Sequence, residues 1–266
     1  MKDNNDAARR ENKKALPKFA LIITLSLVGG AALGAALSLL RVENLGDALA
    51  AAGAWFSRYA AAPLLVALPL LELAICLPIY FGAKKQLSAW DGEDESVGSE
   101  IEARLAVCVW ITGLALIANL FLLAAMTADF VNNAGTPRMM PAQMFFSGLG
   151  AFLAHFAVCV VLQQKLVDLS KRLNPEKHGS VYDTKFRKKW LDSCDEAERA
   201  VIGQCAFKAY RAMCYTCMGL WVVFLLGGMF FDWGFLPALA VCIVWGAGQS
   251  VYSWWCLKLD RPGGKL

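Results

Sequence analysis

The chain has 266 residues, of which 58% are hydrophobic, and a formal net charge of +4. A soluble domain has about half apolar residues, whereas several apolar runs here reach the roughly 20 residues that cross a bilayer as a helix. These totals predict an integral membrane protein in contact with the lipid bilayer. The small net charge and the lack of a nucleic-acid-binding motif argue against a nucleic-acid partner.

The first predicted span follows a basic N-terminus. Residues 1–18 are polar and carry six Lys and Arg, and the apolar run of residues 19–40 is longer than the core of a signal peptide. Small residues recur in this run at a spacing of four: Ser26, Gly30, Gly34 and Ser38. That spacing places them on one helix face, which favours close packing within the bundle or in a homo-oligomer formed through Gly30 and Gly34.

Later apolar runs predict five more spans, at residues 61–83, 103–126, 142–162, 212–231 and 235–257. Of the 26 Lys and Arg, only three fall on the side opposite the N-terminus: Arg41, Arg58 and Arg138. The positive-inside rule therefore predicts a multi-pass protein of the cell membrane with both termini in the cytosol.

The predicted fold class is all-α, with six transmembrane helices and a cytosolic helical hairpin between spans four and five. The expected parts are a cytosolic N-terminus at residues 1–18, spans one to four at 19–164, a cytosolic segment at 165–211, spans five and six at 212–257 and a cytosolic tail at 258–266.

The most polar part of this layout is residues 182–211. Apolar side chains recur there every three or four positions: Phe186, Trp190, Cys194, Ala197, Val201, Cys205 and Ala209. This period predicts one amphipathic helix that continues into span five. Ser193 and Glu196 have the spacing of a local capping pair within it.

The leading functional hypothesis follows from that helix. It predicts a non-enzymatic membrane protein whose cytosolic helix binds a protein partner or the membrane surface, in sensing or regulation. The candidate interaction residues are Lys188, Lys189, Trp190, Asp192, Asp195 and Glu196.

The alternative hypothesis starts from a carboxylate inside a span. Glu72 lies near the middle of span two, where an ionisable side chain is costly unless it is neutral, paired or facing water. His155, at a similar depth in span four, is a possible partner. The pair predicts either a structural contact or the site of a transporter or permease subunit. Pro69 and Pro78 remove backbone donors from span two and predict a kink.

Other chemistry has little support in the sequence. Cys214 and Cys217 form a CxxC pair without the second pair or the histidines that a structural zinc site needs. Phosphate-binding loops and the motifs of serine hydrolases and zinc peptidases are absent from the sequence. No enzyme activity, catalytic residue, metal site or cofactor is therefore predicted.

One stretch resembles a known family. The sequence KKWLDSCDEAE at residues 188–198, with an apolar N-terminal span and span pairs on either side, resembles an uncharacterised bacterial membrane-protein family, domain of unknown function three-one-six-nine. The resemblance implies a protein of the bacterial cytoplasmic membrane. It implies no activity and no functional residues.

Overall fold

A computed structural model describes residues 43–91, 93–231 and 233–259, together with residue 17 and residues 20–25, 28–30, 32 and 35 of the first apolar run. The helices, in chain order, are α1 (Glu43–Trp55), a π-helical turn (Phe56–Ala60), α2 (Ala61–Ala89), α3 (Glu95–Asn132), α4 (Ala142–Leu173), α5 (Phe186–Asp192), α6 (Glu196–Phe230) and α7 (Leu236–Leu259). The described part of the chain contains no strand. The all-α prediction is confirmed.

Five helical stretches are long and apolar enough to cross a membrane: Gly46–Ala89, Ser96–Asn132, Ala142–Leu173, Glu196–Phe230 and Leu236–Cys256. They contain predicted spans two to six to within one residue at either end, so the protein is a multi-pass membrane protein. Much of the first predicted span, including Gly34 of its small-residue face, lies outside the described residues. The first of the six predicted spans, the homo-oligomer through Gly30 and Gly34, and the orientation stay predictions.

The chain divides into two compact units. One consists of Ala50–Ala212, and the other of Met1–Leu49 with Met213–Leu266. In the second unit Gly227 leaves room for the indole of Trp233, because a Cβ at Gly227 would lie 2.1 Å from a ring carbon. The first unit contains Glu72 and His155.

Helices α2, α3 and α4 pack against one another in the first unit. One apolar cluster comprises Cys76, Ala83, Ile101, Leu105, Cys108, Leu162, Leu166 and Leu169. A second comprises Ala61, Ala62, Leu65, Leu122, Met126 and Met140. A Cβ at Gly148 would lie 2.4 Å from Met126 Sδ, so this glycine allows α3 and α4 to approach closely. Together the clusters hold the three helices in a fixed register.

Residues 182–211 are not one helix, contrary to the prediction. Helix α5 ends at Asp192 and α6 begins at Glu196. Between them Glu198 N donates to Asp195 Oδ1 at 2.7 Å, and Asp195 N donates to Glu198 Oε2 at 3.1 Å. This reciprocal capping box starts a new helix, and it replaces the predicted Ser193–Glu196 pair. From there α6 does continue without a break into an apolar span, as the sequence predicts.

The connection between α4 and α5 is held by side-chain contacts. Gln164 Oε1 accepts hydrogen bonds from Ser180 Oγ at 2.9 Å and from Val181 N at 2.7 Å. Lys177, only 5% exposed, forms an ion pair with Glu198, and its Nζ lies 3.5 Å from Cys194 Sγ. The start of α6 is thereby tied to the segment that precedes α5.

Candidate functional site

The most unusual side chains of the three-helix bundle meet between α2 and α4. Glu72 of α2 and His155 of α4 are 2% and 0% exposed, and 2.6 Å separates Glu72 Oε2 from His155 Nε2. The hypothesis based on similar depth named these two residues, and the structure places them in a direct hydrogen bond. Because both helices are long and apolar enough to span a membrane, the contact lies in an apolar region.

Cys159 completes the cluster. Its Sγ lies 3.4 Å from His155 Nε2 and 3.4 and 3.6 Å from the two carboxylate oxygens of Glu72. His155 and Cys159 are four residues apart on α4, so they lie one turn apart on the same face. The predicted site did not include this thiol, because a lone cysteine in an apolar run usually behaves as a small apolar residue. The i, i+4 spacing from His155 was the available signal.

One polar atom of the cluster has no partner. His155 Nδ1 is buried and finds no hydrogen bond among the described residues. A buried polar atom without a partner typically costs about 1–3 kcal/mol. Among the described residues, His155 is therefore hydrogen-bonded through Nε2 alone.

Polar groups of α3 also face the interior of the bundle. Thr112 and Asn119 are both 0% exposed. Thr112 Oγ1 accepts from Gln163 Nε2 at 3.3 Å, and Asn119 Nδ2 donates to the carbonyl of Phe152 at 3.3 Å. All three helices therefore contribute polar side chains to an interior that would otherwise be apolar.

Glu72, His155 and Cys159 also form a possible set of metal ligands. One oxygen, one nitrogen and one sulfur from these residues lie within 4.8 Å of one another. Carboxylate, imidazole and thiolate are the three ligand types that proteins use for zinc. The cluster can therefore act chemically as a hydrogen-bonded acid–base pair or as a cation site.

Several of the predicted interaction residues make contacts with nearby residues of the same segment. Lys189 Nζ lies 2.5 Å from Asp183 Oδ2, and this hydrogen bond holds the pKa of Asp183 below its usual range. Trp190 packs on Phe186 with ring centroids 5.7 Å apart. Asp195 caps α6, as described above.

The remaining predicted interaction residues are Lys188, Asp192 and Glu196. Arg199 Nη2 donates to the backbone carbonyl of Asp192 at 2.7 Å. Lys188 and Glu196 are exposed. Asp192 is exposed as well and uses only its backbone carbonyl here, so the side chains of Lys188, Asp192 and Glu196 are all open to a partner.

Comparison with known proteins adds no relative: no protein-family model, no curated protein and no solved structure matches this chain. The resemblance of residues 188–198 stays a prediction.

Proposed function

We propose that the protein is a transporter or permease subunit whose substrate site contains Glu72 and His155. The observation that carries the proposal is the 2.6 Å contact between a carboxylate and an imidazole that are both buried inside apolar helices. A charged side chain at the centre of a membrane costs about 2.5 kcal/mol or more, and such residues typically mark substrate or ion pathways.

Two prolines flank Glu72 within the helix that carries it. Pro69 and Pro78 lie inside α2, three residues before and six residues after Glu72. Each proline lacks a backbone N–H, so the carbonyl four residues earlier loses its helical partner. Interrupted hydrogen bonding around a polar site in the middle of a span is characteristic of transporter helices.

Transport can be tested without knowing the substrate in advance. Everted membrane vesicles with wild-type protein are expected to accumulate at least one solute from a panel of inorganic ions and small organic solutes. Glu72→Gln, which keeps the size of the side chain, is expected to reduce that accumulation at least tenfold. Glu93→Gln removes an exposed carboxylate before α3 and serves as the matched control.

The vesicle experiment has a clear negative result. If wild-type, Glu72→Gln and Glu93→Gln vesicles contain equal amounts of protein and take up every solute equally, the protein is not a transporter that depends on Glu72.

A second candidate function is the docking of a protein partner or the membrane surface on α5 and α6, in sensing or regulation. It is favoured by apolar side chains on the first half of α6: Val201, Ile202 and Phe207 are 59%, 40% and 51% exposed. The ion pair of Lys177 with Glu198 orders this region before any partner binds, which lowers the entropy lost on association.

Docking is tested by affinity capture from native membranes. Wild-type protein is expected to retain a specific partner that is lost from a Lys188→Glu, Val201→Asp variant. A Lys85→Glu variant makes a similar charge change at an exposed residue of α2 and should keep the partner. Equal capture by all three proteins would remove this candidate.

A further inference from the structure

We infer that Glu72, His155 and Cys159 form a binding site for a divalent transition-metal cation of the zinc type. The inference rests on the proposed transport function, because it names the class of cargo for that site. Three properties of the cluster support it: the distances between its donor atoms, the charge of its ligands, and the type and number of its donor atoms.

The donor atoms already have most of the spacing of a tetrahedral metal site. Zinc binds oxygen and nitrogen at about 2.0–2.1 Å and sulfur at about 2.3 Å, so neighbouring donors of a tetrahedron lie roughly 3.3–3.6 Å apart. Cys159 Sγ lies 3.4 Å from His155 Nε2 and 3.4 and 3.6 Å from the oxygens of Glu72. Only the 2.6 Å contact between Glu72 and His155 must lengthen.

The charge of the ligands suits a divalent cation in an apolar region. A carboxylate and a thiolate carry one negative charge each, and a neutral imidazole carries none. Their sum cancels the charge of a divalent ion, so the occupied site has no net charge to bury. Binding of the divalent ion releases the thiol proton of Cys159. Sodium or potassium would be neutralised by the carboxylate alone, with Cys159 still a thiol, and would not use the sulfur as a ligand.

The chemistry of the donors selects among divalent cations. Calcium and magnesium prefer sites made of oxygen ligands. A sulfur, a nitrogen and an oxygen donor instead favour zinc and the neighbouring first-row transition metals. Three protein ligands also leave one tetrahedral position open, which is typical of sites that exchange ligands and not of closed structural sites.

Cobalt(II) is the probe for this site. The full chain, purified in detergent, reduced and freed of metal, is expected to bind one Co²⁺ per molecule with the near-ultraviolet absorption of a thiolate–cobalt bond. Zinc should displace the cobalt and remove that absorption. Cys159→Ser, which changes one atom, should abolish the band and lower the affinity at least tenfold.

Two further variants make the assignment specific. Glu72→Gln should weaken cobalt binding at least tenfold while it leaves the thiolate band in place. Cys242→Ser removes an exposed cysteine of α7 and should change neither the band nor the affinity. All variants are compared at equal yield of monodisperse protein with unchanged helical circular dichroism.

Several results would overturn the inference. They are a titration without a thiolate–cobalt band, or a band that Cys159→Ser leaves intact. If cobalt does not bind but vesicle uptake still depends on Glu72, the metal inference fails and the transport proposal stands. If one cobalt binds through Cys159 but no solute moves in vesicles, the transport proposal fails and the metal site stands alone.

Discussion

Replacing His155 with leucine is expected to lower the free energy of unfolding by about 3 kcal/mol. The change leaves the carboxyl of Glu72, which is 2% exposed, without the imidazole that lies 2.6 Å away. Removing one partner of a buried polar pair is far more destabilising than removing both, because the remaining group stays buried without compensation.

The double variant provides the test. Glu72→Leu with His155→Leu replaces both polar groups by apolar ones, and its stability is expected to return to within about 1 kcal/mol of the wild type. Thermal and denaturant unfolding in detergent would measure both values. Phe156→Leu, at a neighbouring residue that is 46% exposed, is the control. A His155→Leu protein as stable as this control would contradict the prediction.

Replacing Glu198 with glutamine is expected to loosen residues 174–195. Lys177 is buried and pairs with Glu198, so the variant leaves an ammonium group without its counter-charge. A glutamine can still take part in the capping box with Asp195, which isolates the ion pair. Because the Glu198 side chain is 42% exposed, we expect a local loss of about 2 kcal/mol, below that for a fully buried pair.

Hydrogen exchange measures this local loss directly. A change of about 2 kcal/mol corresponds to roughly 30-fold faster exchange of the amides that are protected only while residues 174–195 are folded against α6. Glu196→Gln removes an exposed carboxylate from the same turn and should leave the exchange rates unchanged. Equal rates in both variants would show that the ion pair does not hold the segment.

The pH dependence of the local stability of residues 174–195 in the wild type follows from the same ion pair. Burial alone would lower the pKa of Lys177, but the hydrogen bond and charge of Glu198, with Cys194, raise the pKa above its ordinary value. A raised pKa means that the contribution of Lys177 is complete below the unfolded pKa of about 10.4 and is lost as the pH rises through the folded value. Protection of this segment through Lys177 should therefore persist through neutral and mildly alkaline pH.

The parts of the fold that depend on length and hydropathy could be predicted from the sequence. Spans two to six are long apolar runs, and the bilayer as a solvent leaves such runs few alternatives to helix. The contact of Glu72 with His155 could be suggested from depth, since two costly side chains at one level in a membrane stabilise each other. Whether they face each other depends on helix rotation, which a single sequence does not determine.

Other features depend on contacts that a pattern does not contain. The apolar period of residues 182–211 favours one helix, but the side chain of Asp195 accepts a hydrogen bond from Glu198 N and so starts α6 separately from α5. By residue type alone Cys159 resembles a packing residue, because a thiol and a small apolar side chain fit an apolar run equally well, and only its i, i+4 spacing from His155 distinguishes it in the sequence. Its role depends on the two side chains that the fold brings beside it.

The separation of Glu72 and His155 along the chain has a consequence for biogenesis. The two residues are 83 positions apart, so at a synthesis rate of about 5–20 residues per second α2 waits roughly 4–17 s before its partner on α4 is translated. During that interval the membrane-insertion machinery handles a helix with an unmatched carboxyl group. Until α4 follows, only the apolar residues of α2 offset the free-energy cost of inserting that carboxyl group. We therefore expect the insertion of α2 to be especially sensitive to further polar substitutions.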